Sequence, residues 1–587
     1  MKGCLGRISG GALLIVVFVI AAVFWRQPTG SPEAPEPSEA GRQFAEAWQA
    51  GNLDSLDYDP SGADDLDRGD ADQIADEAAR MVARLSSQDE DHPVSVVAVG
   101  AARRVDQPEG DLRVGDHMQP LEVTWDLGHG RTWTYRTEVA LRTEDSRQRV
   151  LWRPSAVHPA LTRGLGLEAR RLRPARAPVL DAQARPLPAG LATQLVGTTA
   201  PATRQLAAIA PDRVAVEDIV GTSGLQLLYD AQLAGAAGVE VVAVPLGDAA
   251  PVQPPVRQLF VVPPVPGKPL RLTLDPTWQA RADAAARSAG GAVGVIALDG
   301  LTGQVLAVTS SGGDGRELAL QGRYPAGAAF RTVTTLAVLR SGVLGEGPGA
   351  ELVAGDRTAL DRLALDCRPL DVEGQRFTNP SAAPQGSPTP MGAGLADGCL
   401  TGLGRLAGSL AADDLASAAR TLGIGVPSAT GVQAFDGLVP RPEGTLQSVQ
   451  NSLGEGSVLV SPLALARAAA AVSTGTAPIP TLIGAPTTPT PDAVPLALGE
   501  QAVLDEVMRR SVRSDERLAA LRSASAGAVA AITGSAGYGP SAQAPADAWC
   551  TGYQGSVAFA VLVADGATRS DDELTRRAAG VAAALLG

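Results

Sequence analysis

Lysine is nearly missing from this chain: among 587 residues there are two, Lys2 and Lys268, so the basic side chains are almost all arginine. Histidine is as scarce. His92, His117, His129 and His158 are the four, and none lies beyond residue 158, which excludes a serine–histidine triad or a histidine-bound zinc in the C-terminal half. The residue three before Lys268 is Val265, so no Ser-x-x-Lys pair exists anywhere. Asparagine occurs three times, at Asn52, Asn379 and Asn451, never in a Ser-x-Asn. A net charge of −14 and a pI near 4.9 give no support for nucleic-acid binding.

What is present bounds the architecture. The length suggests about four domains, and 45% hydrophobic residues supply ample core. Lys2 and Arg7 precede an uncharged apolar run over residues 8–25, just long enough to cross a bilayer as a helix, so residues 1–26 are expected to be a cytoplasmic start and transmembrane signal anchor. A cleaved signal peptide is the alternative, though no tidy A-x-A site precedes Arg26. Cys4 lies ahead of the apolar run, badly placed for lipoprotein-type cleavage. Residues 27–38 are rich in Pro, Glu and Ser and read as a solvated linker.

Residues 39–161 read as a small α+β domain. Phe44, Ala47 and Trp48 form one helical stripe; Ile74, Ala78, Met81 and Leu85 form a second, opened by a capping-box-like spacing from Asp70 to Gln73. Alternating strands follow at 121–127, 132–141 and 149–152, with Gly128-His129-Gly130 as a turn. Residues 162–270 are irregular and Pro-rich. In the remaining stretch, 271–587, residues 293–298 alternate as a buried strand, Asp299-Gly300-Leu301-Thr302-Gly303 turns, and 304–308 returns as a second strand.

The segment that organises the chain is Tyr324-Pro325-Ala326-Gly327-Ala328-Ala329-Phe330-Arg331, followed by an apolar helix over 332–339. It resembles the Y-P-P-G-S-x-F-K of penicillin-binding transpeptidases, in which a serine and a lysine at i and i+3 share a helix face and the amine takes the hydroxyl proton. Here the serine position holds Ala328 and the lysine position Arg331. Alanine has no nucleophile, and a guanidinium with a pKa above about 12 is no neutral base.

The family's other motifs are matched in the same manner. Asp397-Gly398-Cys399-Leu400-Thr401 resembles S-C-N-T with Gly398 for serine and Leu400 for asparagine. Ala531-Ile532-Thr533-Gly534 resembles the K-T-G edge strand, keeping Thr533 and Gly534 as a cleft remnant and replacing the cation with Ile532. Residues 453–463, L-G-E-G-S-V-L-V-S-P-L, resemble the family's I-G-Q-G-x-V-L-x-T-P-L, and Ala548-Trp549-Cys550-Thr551-Gly552-Tyr553 resembles A-W-F-x-G-Y. Scaffold text is kept while the catalytic side chains are lost.

The resemblance extends upstream. Arg176-Ala177-Pro178-Val179-Leu180-Asp181 and Val220-Gly221-Thr222-Ser223-Gly224-Leu225-Gln226 resemble signatures of the class B pedestal, or dimerisation, domain, with Gln226 where the family has Glu. F-A-E-A-W-Q-A-G-N, T-W-T-Y-R-T and V-L-W-R-P-S-A-V-H-P-A-L make residues 39–161 similar to the nuclear-transport-factor-like extension of methicillin-resistance-type proteins. Such folds often enclose a pocket, in which His117 and His129 are conceivable ligands; a solvated surface role for His129 is the simpler reading. Cys367 and Cys399 flank the loop of the family's usual disulfide, which the resemblance implies here. Cys550 reads as a buried inert thiol, with a catalytic cysteine as the sharper alternative and no histidine to serve it.

The whole is expected to be a multidomain α+β protein: membrane helix, nuclear-transport-factor-like domain, pedestal over 162–270 and a transpeptidase-like domain over 271–587. The resemblance implies a plasma-membrane, single-pass protein of peptidoglycan synthesis whose bulk is extracytoplasmic. It is expected to be a pseudoenzyme without metal or cofactor, partnered by division or elongation machinery or a SEDS-class glycan polymerase, with weak stem-peptide binding conceivable. The competing reading is an active D,D-transpeptidase that binds β-lactams; a β-lactam sensor needs the same missing serine.

Overall fold

The computed structural model describes residues 36–587 apart from 37, 60–70, 83–84, 86–92, 146, 211–212, 247–255, 313–314, 485–493, 524–527, 538–545 and 566–569. The membrane-anchor expectation, Asp70 of the second helix start, and all of the linker except Glu36 and Ser38 lie outside those residues. Among the described residues no helix is long and apolar enough to cross a membrane. The chain forms two compact units: residues up to Arg170 together with Val239–Val262, and Arg171–Gly238 together with Pro263–Gly587.

In the first unit the helix Glu39–Gln49 starts at Ser38, whose hydroxyl accepts from the Gly41 N–H. It buries Phe44, Ala45 and Trp48; Ala45, rather than the expected Ala47, completes the stripe. The helix Ala71–Val82 buries Ile74, Ala78 and Met81, and Leu85 follows it into the core. Both helices cover an antiparallel sheet ordered Val94–Ala98, His117–Asp126, Thr132–Glu144, Arg147–Leu151, with Arg103–Arg104 pairing onto His117–Asp126. Asp126 pairs with Thr132 across a turn in which Gly128, His129 and Gly130 all take positive φ.

His117 opens that ten-residue strand and His129 lies beyond its far end. At the strand rise they stand roughly 30 Å apart, too far to share a ligand. Inside the sheet Arg142 is buried between Asp116 at 2.9 Å and Asp59 at 3.6 Å, which pairs the charge that burial would otherwise penalise.

Residues 239–262 lie in the stretch that composition reads as irregular, yet the strands Gly238–Pro245 and Arg257–Val262 form there and join Leu165–Leu172 in a three-stranded sheet. Val239, Val241 and Ala243 pack into the first unit's core.

The second unit is built on a five-stranded antiparallel sheet ordered Val305–Ser311, Ala292–Asp299, Val557–Asp565, Ala546–Gln554, Val529–Gly537. Both faces are covered, so its strands read as unbroken apolar runs. Val293, Val295 and Ala297 pack with the helices Pro276–Ala289 and Asp571–Leu586. Ile296 and Leu298 point the other way, toward the helices Arg331–Arg340 and Pro462–Thr474. Ser461 caps the latter through the Ala464 N–H, and Pro462 fills its first position without wasting a donor.

Upstream, Leu270–Arg271 pairs parallel with Val179–Leu180, and Thr199–Pro201 pairs with Ile219–Gly221. Arg176 is the hub of this part, bonding Gln226, Asp230 and the Ile219 carbonyl.

Candidate functional site

Three segments converge where a cleft is expected. The first is a 3-10 turn, Gly327–Phe330, running into the helix Arg331–Arg340. Gly327 at φ 51° donates to the Gly454 carbonyl at 2.9 Å, and Tyr324 pairs with Val460, so the L-G-E-G-S-V-L-V segment holds the turn from beneath. Position 328 is therefore held on a fixed turn. Its side chain is a methyl group, 2% exposed, packed with Phe377, Leu400, Val449 and Leu453.

Arg331 is also 2% exposed. Its Nη1 donates to the Ala328 carbonyl at 2.9 Å and the Thr533 carbonyl at 2.7 Å; its Nη2 donates to Ser511 Oγ at 3.0 Å and the Ala396 carbonyl at 3.3 Å. Its Nε has no acceptor among the described residues. Burial, and then the nearby Arg517 charge, pull the guanidinium down to about 10, so it stays protonated at neutral pH.

The second segment begins where the helix Met391–Asp397 ends at Gly398, in the left-handed region at φ 89°. Cys399 is bonded to Cys367 with Cα atoms 5.5 Å apart, and Leu400 starts the next helix, Leu400–Ala407. Asn379 accepts from the Thr401 N–H at 2.8 Å, fixing that helix start. Leu400 thus meets Ala328 as an apolar contact where two polar groups are expected in a transpeptidase. Beneath Gly398, Arg517 is paired with Asp515 at 2.8 Å, both side chains buried, and donates to the Asp397 carbonyl.

The third segment is the strand Val529–Gly537, paired only with Ala546–Gln554 among the described residues. Ile532 is wholly buried in the core beneath the turn. Thr533 turns its hydroxyl to the Trp549 carbonyl at 2.7 Å, and Trp549 Nε1 reaches Pro325 at 2.8 Å, tying the strand pair back to the turn. Gly534 has no room for a side chain: a Cβ there would stand 2.4 Å from the Ala329 nitrogen. Cys550 is buried opposite Thr533, and burial followed by the Asp515 charge pushes its thiol well up, away from thiolate reactivity.

Ala328, Arg331, Leu400, Thr533 and Gly534 are therefore brought together, with Gly398 at their margin. Sequence reasoning missed Ser511, Asp515 and Arg517. The run S-V-R-S-D-E-R reads as a solvated helix end, and nothing in it signals burial against the cleft. Among the described residues no cluster of His, Cys, Asp or Glu is arranged to hold a metal. What the arrangement offers chemically is hydrogen-bonded carbonyls, buried methyls and paired charges, with no hydroxyl or amine on Ala328, Gly398, Leu400 or Ile532 and a guanidinium on Arg331.

Residues 178–272 match the penicillin-binding protein dimerisation domain, and residues 364–586 match the penicillin-binding protein transpeptidase domain. The second match begins after the turn that carries Ala328 and Arg331. No curated protein matches the chain. Solved structures similar in fold include two penicillin-binding proteins. The penicillin-binding protein PBP2 of Helicobacter pylori, in complex with MreC, is 15% identical; the likeness covers 72% of this chain and 98% of that one at a TM-score of 0.54. Pseudomonas aeruginosa PBP2, in complex with WCK 5153, is 18% identical, with 71% and 95% covered at a TM-score of 0.53.

Proposed function

We propose that this chain, which carries the dimerisation and transpeptidase domains of penicillin-binding proteins, is a class B member that has exchanged catalysis for binding and acts as a non-catalytic factor in cell-wall synthesis. The observation that carries this reading is the content of the cleft. Ala328 stands at the nucleophile's position inside an apolar cluster, and Arg331, Gly398, Leu400 and Ile532 stand at the other four positions. Losing the nucleophile of a unit that works together costs about six orders of magnitude in turnover where it has been measured.

The organisation proposed with it is a signal anchor over 1–26, a linker over 27–38, a nuclear-transport-factor-like domain over 39–161, a pedestal over 162–270 and a transpeptidase-like domain over 271–587. The anchor would place the bulk of the protein outside the plasma membrane. The partner class follows from the Helicobacter pylori relative, which is held in a complex with MreC: elongation machinery comes first, with division machinery and a SEDS-class polymerase as further members. Ile209, Ile219, Leu227 and Leu228 in the pedestal are each about half exposed or more and are the positions from which a binding role is probed.

The test is intact-mass spectrometry of the full chain in detergent after incubation with a penicillin. The expected result is an unchanged mass with the fold intact on the same sample. A stoichiometric covalent adduct would return the protein to the D,D-transpeptidases. In vivo crosslinking from positions 209 and 228 then identifies the partner.

A further inference from the structure

Building on the reading that the cleft has lost its chemistry, we propose that Arg331 is a clamp that holds the cleft shut, so that the former active site is a sealed core taking neither a β-lactam nor a peptide strand. The residue in place of the proton acceptor has become the tie between the cleft's walls.

The choice of arginine makes this geometry available. Lysine carries three donors on one nitrogen, whereas the guanidinium carries five in a planar fork and can serve carbonyls on separate segments at once. Arg331 does so: Ala328 O belongs to the turn, Thr533 O to the outer strand, Ala396 O to the helix Met391–Asp397, and Ser511 Oγ to the helix Leu498–Ser514. Ser511 in turn donates to the Ala396 carbonyl, closing the ring of bonds. Segments up to 202 residues apart are joined by one side chain.

The outer strand is also where an extended peptide would add, through main-chain groups on its free side. The Thr533 carbonyl is already occupied by Arg331. The next turn of backbone is no more open. A Cβ at Gly327 would lie 2.0 Å from the Ser535 oxygen, and one at Gly534 would lie 2.9 Å from the Ala328 methyl carbon. The two backbones are thus in van der Waals contact along this stretch, whereas an added strand needs about 4.8 Å of its own. Over the turn, Phe377 from the hairpin Leu370–Val372/Gln375–Phe377 and Leu400 cover the methyl group.

The experiment places a thiol at the sealed position. In the full-length Ala328→Cys protein, maleimide labelling is followed on the tryptic peptide 324–331, which separates this thiol from Cys4 and Cys550. The expected rate under native conditions is about 1,000-fold below that of the same protein unfolded in guanidinium, because labelling must wait for local opening. Adding Arg331→Lys or Ser511→Ala is expected to raise the native rate by about tenfold or more, since each removes part of the clamp. The thermal melt of every variant is recorded, and rates are compared only where the protein is folded.

Labelling of Ala328→Cys at the rate of an exposed thiol overturns the sealed core. A protected thiol whose rate neither second substitution changes overturns the role given to Arg331. Both leave the inactive reading standing. That reading falls instead if penicillin acylates the unmodified chain, an outcome independent of the labelling rate.

Discussion

Arg176 donates to the side-chain oxygen of Gln226 from Nε at 3.0 Å and from Nη2 at 2.8 Å, one edge of the guanidinium converging on a single amide oxygen. The charge it needs comes from Asp230, 2.8 Å from Nη1. A neutral amide can stand in this seat because the ion pair is supplied from four residues further on.

Removing the hub should be costly and restoring the acid should not. Arg176→Ala removes the cation from the partly buried Asp230, leaving it the Gly221 N–H, and the donor from two carbonyls, and is expected to destabilise the second unit by about 2–4 kcal/mol. Gln226→Glu is expected to shift stability by less than about 1 kcal/mol, since Arg176 is already neutralised. Denaturant titration of the two variants side by side measures the difference.

The disulfide between Cys367 and Cys399 closes a loop of 32 residues. Replacing both cysteines by serine is expected to cost about 2–4 kcal/mol, largely through the freedom returned to the unfolded chain. The loop carries Phe377, so the loss should appear in the melting of the second unit while the first is unchanged. Calorimetry with and without reductant on the wild type supplies the same comparison.

Glycine at 534 is required by space, and glycine at 555 by backbone conformation. Gly534→Ala drives a methyl group into the Ala329 nitrogen and the Ala328 backbone, rigid atoms that cannot swing aside, and is expected to cost about 3 kcal/mol or more. Gly555 has φ 59° with nothing within 4 Å of its missing side chain, so Gly555→Ala should cost only about 1–2 kcal/mol. Thermal melts rank the two; a reversed order would contradict the close approach of the outer strand to the turn.

His158 gives the first unit a pH dependence of definite sign. Packed against Trp133 and Tyr135, with its Nδ1 accepting from the Ala160 N–H, it is lowered to about 4 by burial and then by the Arg257 charge. The unfolded chain binds the proton near 6.5. The contribution of neutral His158 is therefore complete above about pH 6.5 and is lost progressively as pH falls toward 4. NMR titration of the ring should give a midpoint near 4, and His158→Gln should flatten the stability profile between those limits.

The fold was most legible where periodicity was strong. Residues 293–298 alternate two cores across one strand, and the Asp299–Gly303 turn returns it as expected. The strand Val94–Ala98 was missed because five residues of alternation are too few to separate from a loop, and the strands within 239–262 because the prolines between and after them, such as Pro251, Pro254, Pro255, Pro263 and Pro264, mask them. At the cleft, the sequence marked positions 328, 331, 400 and 532 by their departure from the resembled motifs. Nothing announced the contacts that form there, because Arg331 bonds mainly to backbone carbonyls, which every residue possesses. The Asp515–Arg517 pair is two residues apart, a spacing that reads as surface charge until burial is known.

The first unit is assembled from two stretches of chain separated by residues 171–238. A polypeptide synthesised from its N-terminus delivers Leu165–Leu172 well before Gly238–Pro245, the strand that pairs with it. During that interval the backbone groups of the earlier strand are exposed, and any shorter version ended at residue 170 keeps them so permanently. Expression of such a shortened form should therefore yield aggregates or demand a chaperone, while extension to residue 262 relieves that demand.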